Sequence, residues 1–157
     1  MNNQELILSV MRAQGKAGAI DLRSRSAGMD GTAIIAEETK IPAFDPDKDY
    51  SGWPVGAPVT DSVEGELQVF TLLQPHNASH YPGTRPSNAA ALWSITHTKD
   101  PAKAKAWLPP NGTSGLYMKG EVCTDPAYAP PATVHRSKVD NNAFSPSAYP
   151  NNWEVVG

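Results

Sequence analysis

The sequence predicts a mainly β protein, in which two small β-modules stand in tandem after a short N-terminal α-helix and an extended arm. A Pro-Ser pair is followed by Trp at the same spacing twice, from Pro86 to Trp93 and from Pro146 to Trp153, which indicates a duplicated unit. Fifteen Pro and twelve Gly among 157 residues exclude a helical bundle and favour short strands joined by fixed turns. Four Trp, five Tyr and three Phe argue against disorder.

The N-terminus carries the signals of one short helix. Asn2 or Asn3 can cap it, and Glu5 stands in the capping-box position relative to Asn2. We expect the helix to run to about Gln14, where Gly15 stops it. Its apolar residues form one stripe, at positions 6, 7, 10, 11 and 13. Because a single helix of this length is marginal in water, the stripe must pack against something.

The residues between this helix and the first module lack a clear period. Gly, Ala, Ser and Arg dominate from Gly15 to Met29, which is typical of an extended arm. Asp30-Gly31 is a turn signal, and residues 32–38 fit either a short helix or a strand. The predicted N-terminal segment therefore covers residues 1–42. A marginal helix followed by a long arm is typical of a segment that becomes ordered against neighbouring subunits.

The first module is predicted at residues 43–97. Residues 67–74 alternate as in a strand with one buried face, Pro75 ends that strand, and residues 92–96 form the last strand. A polar connector at 98–106, with a helical turn after Asp100-Pro101, leads to the second module at 107–157. There the middle strand is predicted at 133–137 and the last at 153–156.

The two modules also match upstream of each Trp. Val69 and Asn77 lie 65 residues before Val134 and Asn142, whereas the two Trp residues are 60 apart. The two Pro residues, Pro86 and Pro146, are also 60 apart, so the first module holds about five extra residues between Ala78 and Pro86, an insertion that belongs in a loop.

Composition and charge exclude several partners. The net charge is −3 and the pI is about 5.7, with Lys and Arg scattered, so nucleic-acid binding has little support. Cys123 is the only cysteine, which excludes an intrachain disulfide and favours a buried structural thiol. The apolar run from Leu6 to Met11 is too short for a secretory core or a membrane span, so we expect a protein made in a cytoplasm, without a membrane partner.

Patterns for catalysis and metal binding are weak. His76 and His80 are four residues apart, but Pro75 and Pro82 bracket them and disfavour the helix that would aim both at one metal. An Asp series at 45, 47 and 49 resembles the start of a calcium loop, but Tyr50 stands where the loop requires Gly. A phosphate-binding glycine loop, a nucleophile elbow and paired carboxylates are also missing from the sequence. We expect no catalytic residue, no metal and no cofactor.

The second module contains four segments that carry a family resemblance: Tyr117–Val122, His135–Ser137, Asp140–Pro146 and Tyr149–Val155. The first module repeats it more weakly through residues 44–46, 50, 56–59, 74–79 and 91–93. These residues resemble the carbohydrate-binding modules of the chitin-binding type, families five and twelve, as they occur in structural proteins of tailed bacteriophages. Such phage proteins often carry the modules in tandem after a short N-terminal helical segment. The resemblance covers about two-thirds of the chain.

The chain departs from this family near the expected sugar site. Tyr81-Pro82 and Phe144-Ser145-Pro146 stand where the family usually has Trp before the Pro. His135 replaces the usual strand aromatic, and Ala57 replaces the usual acidic residue after the turn Gly of the first module. The resemblance therefore implies the scaffold more strongly than it implies sugar binding.

The resemblance implies that any glycan is bound by loop aromatics. A pyranose ring packs its C–H face on an aromatic ring, and neighbouring amides bond its hydroxyls. The glycan-binding candidates are Tyr81, Asn77, Phe144, Asn141, Asn142 and Tyr149. Core packing is the alternative for Tyr81 and Phe144. Small units without disulfides need large buried side chains, and the expected core residues are Trp93, Trp153, Tyr117, Val69 and Val134.

Two functions follow as expectations. The first is a non-enzymatic structural protein of a phage virion, made in the host bacterial cytoplasm and placed in a head decoration, a fibre or the tail. Its N-terminal segment would dock onto capsid or tail subunits, and its modules would face host-surface or mucosal glycans. We expect a homo-oligomer, for which the trimer of projecting phage fibres is the precedent. The alternative is a soluble glycan-binding module that acts as an adhesin or as the targeting partner of an enzyme.

Overall fold

The computed structural model describes residues 2–126 and 131–156. Two helices come first and two β-sheets follow, so the chain is a mixed α and β structure with substantial sheet, and helix takes a larger share than a mainly β fold would have. The helices are α1 (Asn3–Arg25) and α2 (Gly31–Ala36). The first sheet contains β1 (Pro58–Val63), β2 (Glu66–Leu72) and β3 (Trp93–Ile95). The second contains β4 (Lys105–Ala106), β5 (Val122–Asp125), β6 (Thr133–Ser137) and β7 (Trp153–Val155).

Helix α1 begins as predicted and ends much later. Asn2 and Glu5 form the capping box, with each side chain accepting a 2.8 Å hydrogen bond from the other's backbone amide. The predicted end near Gln14 is wrong, and so is the extended arm from Gly15 to Met29, because the helix continues through Arg25. The reason is tertiary packing: Leu22 is fully buried, which outweighs the cost of about 1 kcal/mol for a Gly inside a helix.

Residues 32–38, for which the sequence allowed either a short helix or a strand, lie largely in helix α2. Asp30 is its N-cap and accepts a 2.8 Å hydrogen bond from the amide of Ala33, so the Asp30-Gly31 pair starts a helix rather than a free turn. The helix and the residues around it form an apolar cluster that reaches the first sheet: Leu22, Ile34, Ile35, Ile41 and Val69. The second half of the N-terminal segment therefore contributes to the core.

The first sheet is an antiparallel meander in the order β1, β2, β3. A two-residue turn joins β1 to β2, and both of its residues, Glu64 and Gly65, have positive φ, as the tight hairpin requires. Strand β2 was expected to have one buried face, and that expectation is wrong because both faces are covered. Val69 packs beneath the helices, while Phe70 lies in an aromatic cluster on the opposite face.

That aromatic cluster is the largest core of the molecule as described. Its rings pack mostly edge to face, and Tyr50 lies at their centre with Phe44, Trp53 and Trp93 within 5.8 Å of its ring centroid. Edge-to-face aromatic pairs add roughly 0.5–1.5 kcal/mol beyond the area they bury. Leu108, which follows the connector, is also buried in this cluster.

The second sheet has three antiparallel strands and one parallel edge strand. Strands β5, β6 and β7 form a meander, and β4 pairs in parallel with β5 through Lys105 opposite Cys123. The predicted helical turn after Asp100 is confirmed as a 3-10 turn at Pro101–Lys103. The connector is not wholly irregular, however, because β4 lies within it. The residues around β4 do not predict this strand, because it forms only by pairing with β5, which lies farther along the chain.

Hydrogen bonds and ion pairs join the two sheets and the N-terminal segment. The buried amide of Gln68 on β2 donates a 2.8 Å hydrogen bond to the carbonyl of Ala106 on β4. The carboxylate of Glu38 binds the ammonium groups of Lys103 and Lys105 beside the same edge. Burial opposes ionisation of Glu38, but the hydrogen bonds and charges of the two lysines outweigh it and lower its pKa.

Candidate functional site

The two sheets share a pattern of backbone hydrogen bonds, in which the turn before β1 or β5 binds the end of the neighbouring strand, β2 or β6. The amide of Gly56 donates to the carbonyl of Leu72 at 2.8 Å, and the amide of Gly120 donates to the carbonyl of Ser137 at 2.9 Å. Both glycines have positive φ, 93° and 95°, which a side chain would strain. The return bonds match as well, from Leu72 to Ala57 and from Ser137 to Glu121.

A Tyr–Trp pair lies in the core of each sheet. The rings of Tyr50 and Trp93 are 5.3 Å apart at an angle of 88°, and those of Tyr117 and Trp153 are 5.3 Å apart at 68°. Of the expected core residues, Trp93, Trp153, Tyr117 and Val69 are buried, whereas Val134 is only partly buried. Each Trp opens the last strand of its meander, so the Pro-Ser spacing places a core residue.

An aspartate in the first long strand of each meander holds the loop that precedes the Trp. Asp61 on β1 accepts hydrogen bonds from the Arg85 guanidinium at 2.6 and 3.1 Å. Asp125 on β5 accepts from the Ser147 amide at 3.0 Å and from its hydroxyl. Sequence reasoning missed both, although their 64-residue offset is the same as that of the two turn glycines.

The second sheet presents an exposed aromatic pair, Phe144 and Tyr149. The two residues are 57% and 48% exposed, and their ring centroids lie 5.9 Å apart with a tilt of 37°. Core packing of Phe144 is therefore excluded. The Trp153 indole donates a 2.9 Å hydrogen bond to the Phe144 carbonyl, and the Tyr149 amide donates to the Ser145 carbonyl at 2.9 Å. These bonds fix the backbone beneath the exposed pair.

The two Asn residues predicted beside this pair have different roles. Asn142 is 2% exposed, so its assignment to glycan binding is wrong. Its side chain donates to the Ser137 hydroxyl at 3.0 Å and accepts from the Phe144 amide at 3.3 Å, which makes it a support of the loop. Asn141 is exposed, with a positive φ of 54° that Asn tolerates. Of the two Asn residues, only Asn141 has a side chain that a ligand could reach from solvent, and it borders the cavity between α2 and the two sheets.

The first sheet places its candidates differently. Tyr81 is exposed, and its ring meets that of His76 edge on, with centroids 5.9 Å apart, so Tyr81 is not core. The carboxamide oxygen of Asn77 accepts from the amide and hydroxyl of Ser79 and thereby closes a turn. Tyr81 therefore lies against a buried histidine, whereas Phe144 and Tyr149 lie beside each other.

A cavity of about 380 Å³ lies between α2 and the two sheets, lined in part by Thr96, His97 and Glu121. Burial lowers the pKa of His97 to about 4, although the hydrogen bond from its Nε2 to the Gly115 carbonyl at 2.8 Å opposes that shift. Burial also raises the pKa of Glu121. The imidazole stacks on Tyr117 at 3.6 Å, so His97 is a neutral packing residue at pH 7.

Burial also makes the one cysteine unreactive. Burial and the nearby Asp125 charge raise the pKa of the Cys123 thiol, so it stays protonated. Within residues 2–126 and 131–156, no three His, Cys, Asp or Glu side chains are placed to hold a metal ion. In the same part of the chain, no helix is long and apolar enough to cross a membrane.

Among the residues that the structure describes, the exposed aromatic pair is the arrangement best suited to a ligand. Two tilted rings on a fixed backbone can pack on a sugar face. Comparison with protein-family models, curated proteins and solved structures gives no match.

Proposed function

We propose that this chain is a non-enzymatic structural protein of a tailed-phage virion, anchored through its N-terminal segment and displaying two tandem β-modules of the carbohydrate-binding type. The observation that carries the proposal is the frame shared by the two sheets. Each has a left-handed glycine bonded to the end of the middle strand, a Tyr–Trp core pair and an aspartate that holds the loop before the Trp. This repetition supports a duplicated display scaffold and agrees with the resemblance in sequence.

The N-terminal helix supports the anchoring half of the proposal. Its last turns are fixed to the body through Leu22, whereas the turns before Ala17 are exposed on all sides. Exposed apolar side chains in a segment that is fixed at one end are suited to contacts with other subunits.

Anchoring is tested by removing residues 1–17, which leaves Leu22 and its cluster in place. We expect the truncated protein to keep the tryptophan fluorescence of the folded sheets and to be lost from particles purified from producing cells. A deletion of residues 1–42 is the comparison, since it also removes Ile34 and Ile35 and should unfold the first sheet. Full incorporation of the shorter truncation into particles would contradict the anchoring role.

The alternative, a soluble glycan-binding module, is favoured by one observation, the exposed pair of Phe144 and Tyr149. If it is correct, the purified protein binds specific glycans on an array, and Phe144→Ala reduces binding about tenfold or more, a loss of roughly 1.4 kcal/mol. Leu67→Ala is the control, because it removes an exposed apolar side chain, 48% exposed, from β2 of the first sheet. Tyr81→Ala reports separately on the first sheet. A flat array for the wild-type protein, together with incorporation into particles, favours the virion scaffold alone.

A further inference from the structure

Helix α1 exposes an unusual amount of apolar surface. Six of its large apolar side chains are about half exposed or more: Leu6, Ile7, Leu8, Val10, Met11 and Ile20. Single exposed apolar residues are common, but a concentration of them along one element marks an interaction surface.

Five apolar residues of α1 recur with the alternating four- and three-residue spacing of a heptad: Leu6, Val10, Ala13, Ala17 and Ile20. This spacing corresponds to positions d, a, d, a and d, the seam of a coiled coil. We call these five residues the heptad stripe. Ile7 widens the stripe at an e position, whereas Leu8 lies on the opposite side of the helix.

Four residues of the heptad stripe, from Leu6 to Ala17, lie in the part of α1 that is fully exposed, whereas Ile20 lines a cavity with Pro42 and Trp53 of the body. Leu22 and Ser26 are the buried residues at the fixed end of α1. Ile20 lies about 200° around the helix axis from Leu22, at the flank of the body, and remains 56% exposed. A partner on Leu6, Val10, Ala13 and Ala17 thus does not compete with the packing of α1 on its own body.

Charged residues beside the stripe indicate what the partner is. Lys16 occupies a g position and Asp21 the e position of the next heptad. In a parallel coiled coil, a g residue faces the e residue five positions later on the partner helix. Lys16 of one copy would therefore face Asp21 of another. Asp21 already binds Arg25 within its own chain at 2.8 Å, and its side chain remains 57% exposed.

We propose that copies of this chain associate in parallel through the heptad stripe of α1, forming a helical bundle with the β-sheets at one end. Ala13 and Ala17 allow the helices to approach closely in the middle of the seam. This inference rests on the proposed function, which requires α1 to bind an assembly partner. The partner inferred here is a second copy of the chain. A helix that is marginal alone gains its missing packing in this way.

Self-association is tested by sedimentation equilibrium of the full-length protein. Leu6→Asp and Leu8→Asp place the same charge on similarly exposed leucines, 53% and 50% exposed, on opposite sides of α1. We expect wild type and Leu8→Asp to form oligomers and Leu6→Asp to associate about tenfold more weakly or worse. A monomeric wild type, or equal association of the two variants, would overturn the proposal.

Orientation is tested by disulfide formation. Residues at a positions meet their own counterparts across a parallel seam, so Val10→Cys should cross-link copies upon mild oxidation, whereas Leu8→Cys should not. The wild-type protein is the background control because its Cys123 is buried. Oligomers without a Val10 cross-link would refute parallel pairing. Since both experiments use purified protein, a monomer that still enters particles would refute self-association alone and leave the proposed function standing.

Discussion

Gly31, the first residue of α2, packs closely on the backbone that follows β3. A Cβ atom built there would lie 2.1 Å from the His97 carbonyl oxygen and 3.1 Å from the Thr96 methyl group. Because the nearest atom belongs to backbone, no side-chain rotation can relieve the clash. The smallness of Gly31 therefore matters more than its freedom in φ.

We expect Gly31→Ala to lower the free energy of unfolding by about 2 kcal/mol or more, since the backbone on one side must move. The measurement is urea denaturation followed by tryptophan fluorescence. Gly28→Ala is the matched control, because nothing lies within 4 Å of its Cβ position, and it should change stability by less than about 0.5 kcal/mol. Equal effects of the two substitutions would show that the start of α2 does not pack on the backbone of Thr96 and His97.

His97 makes stability depend on pH. Its pKa is about 4 in the folded chain, against an ordinary value of 6.5. Between these values the unfolded chain binds the additional proton, so stability is full above pH 6.5 and decreases as the pH falls toward 4, by about 3 kcal/mol in all. We expect His97→Gln to flatten the decrease between pH 6.5 and 4.5 in denaturation curves. An unchanged slope would mean that His97 is protonated without loss of the fold.

At the scale of elements, local signals predicted what local interactions decide. The capping box at Asn2, the turn after Asp100 and the strands that begin at the two Trp residues are all where the sequence placed them. The end of α1, the second buried face of β2 and the strand β4 depend on partners far along the chain. A short stretch of sequence does not include those distant partners, so its periodicity cannot predict these three features.

The candidate site shows the same division. Phe144 and Tyr149 are close in sequence, and they form an exposed pair. Asn142 was misassigned because its polar side chain is used inside the loop, on Ser137 and the Phe144 amide. Asp61 and Asp125 were missed because a buried carboxylate shows its role only through its partner.

At the scale of the molecule, the two sheets share core and polar contacts. Gln68 on β2 bonds to Ala106 on β4, and Leu108 is buried among the aromatic rings of the first sheet. We expect calorimetry to show one cooperative transition. Gln68→Ala should lower its midpoint, because the buried Ala106 carbonyl loses its donor at a cost of about 1–3 kcal/mol. Two separate transitions in the wild-type protein would contradict the coupling.

The burial of Leu108 limits how this chain can be rearranged. Leu108 fills a position in the first cluster beside Phe70, although it lies after the connector in sequence. A cut anywhere between residues 98 and 106 would therefore leave one fragment with an unfilled core and the other with an exposed leucine. Recombination can exchange the pair of sheets as a whole, but a single sheet grafted onto another protein would need Leu108 or a substitute to travel with the first sheet.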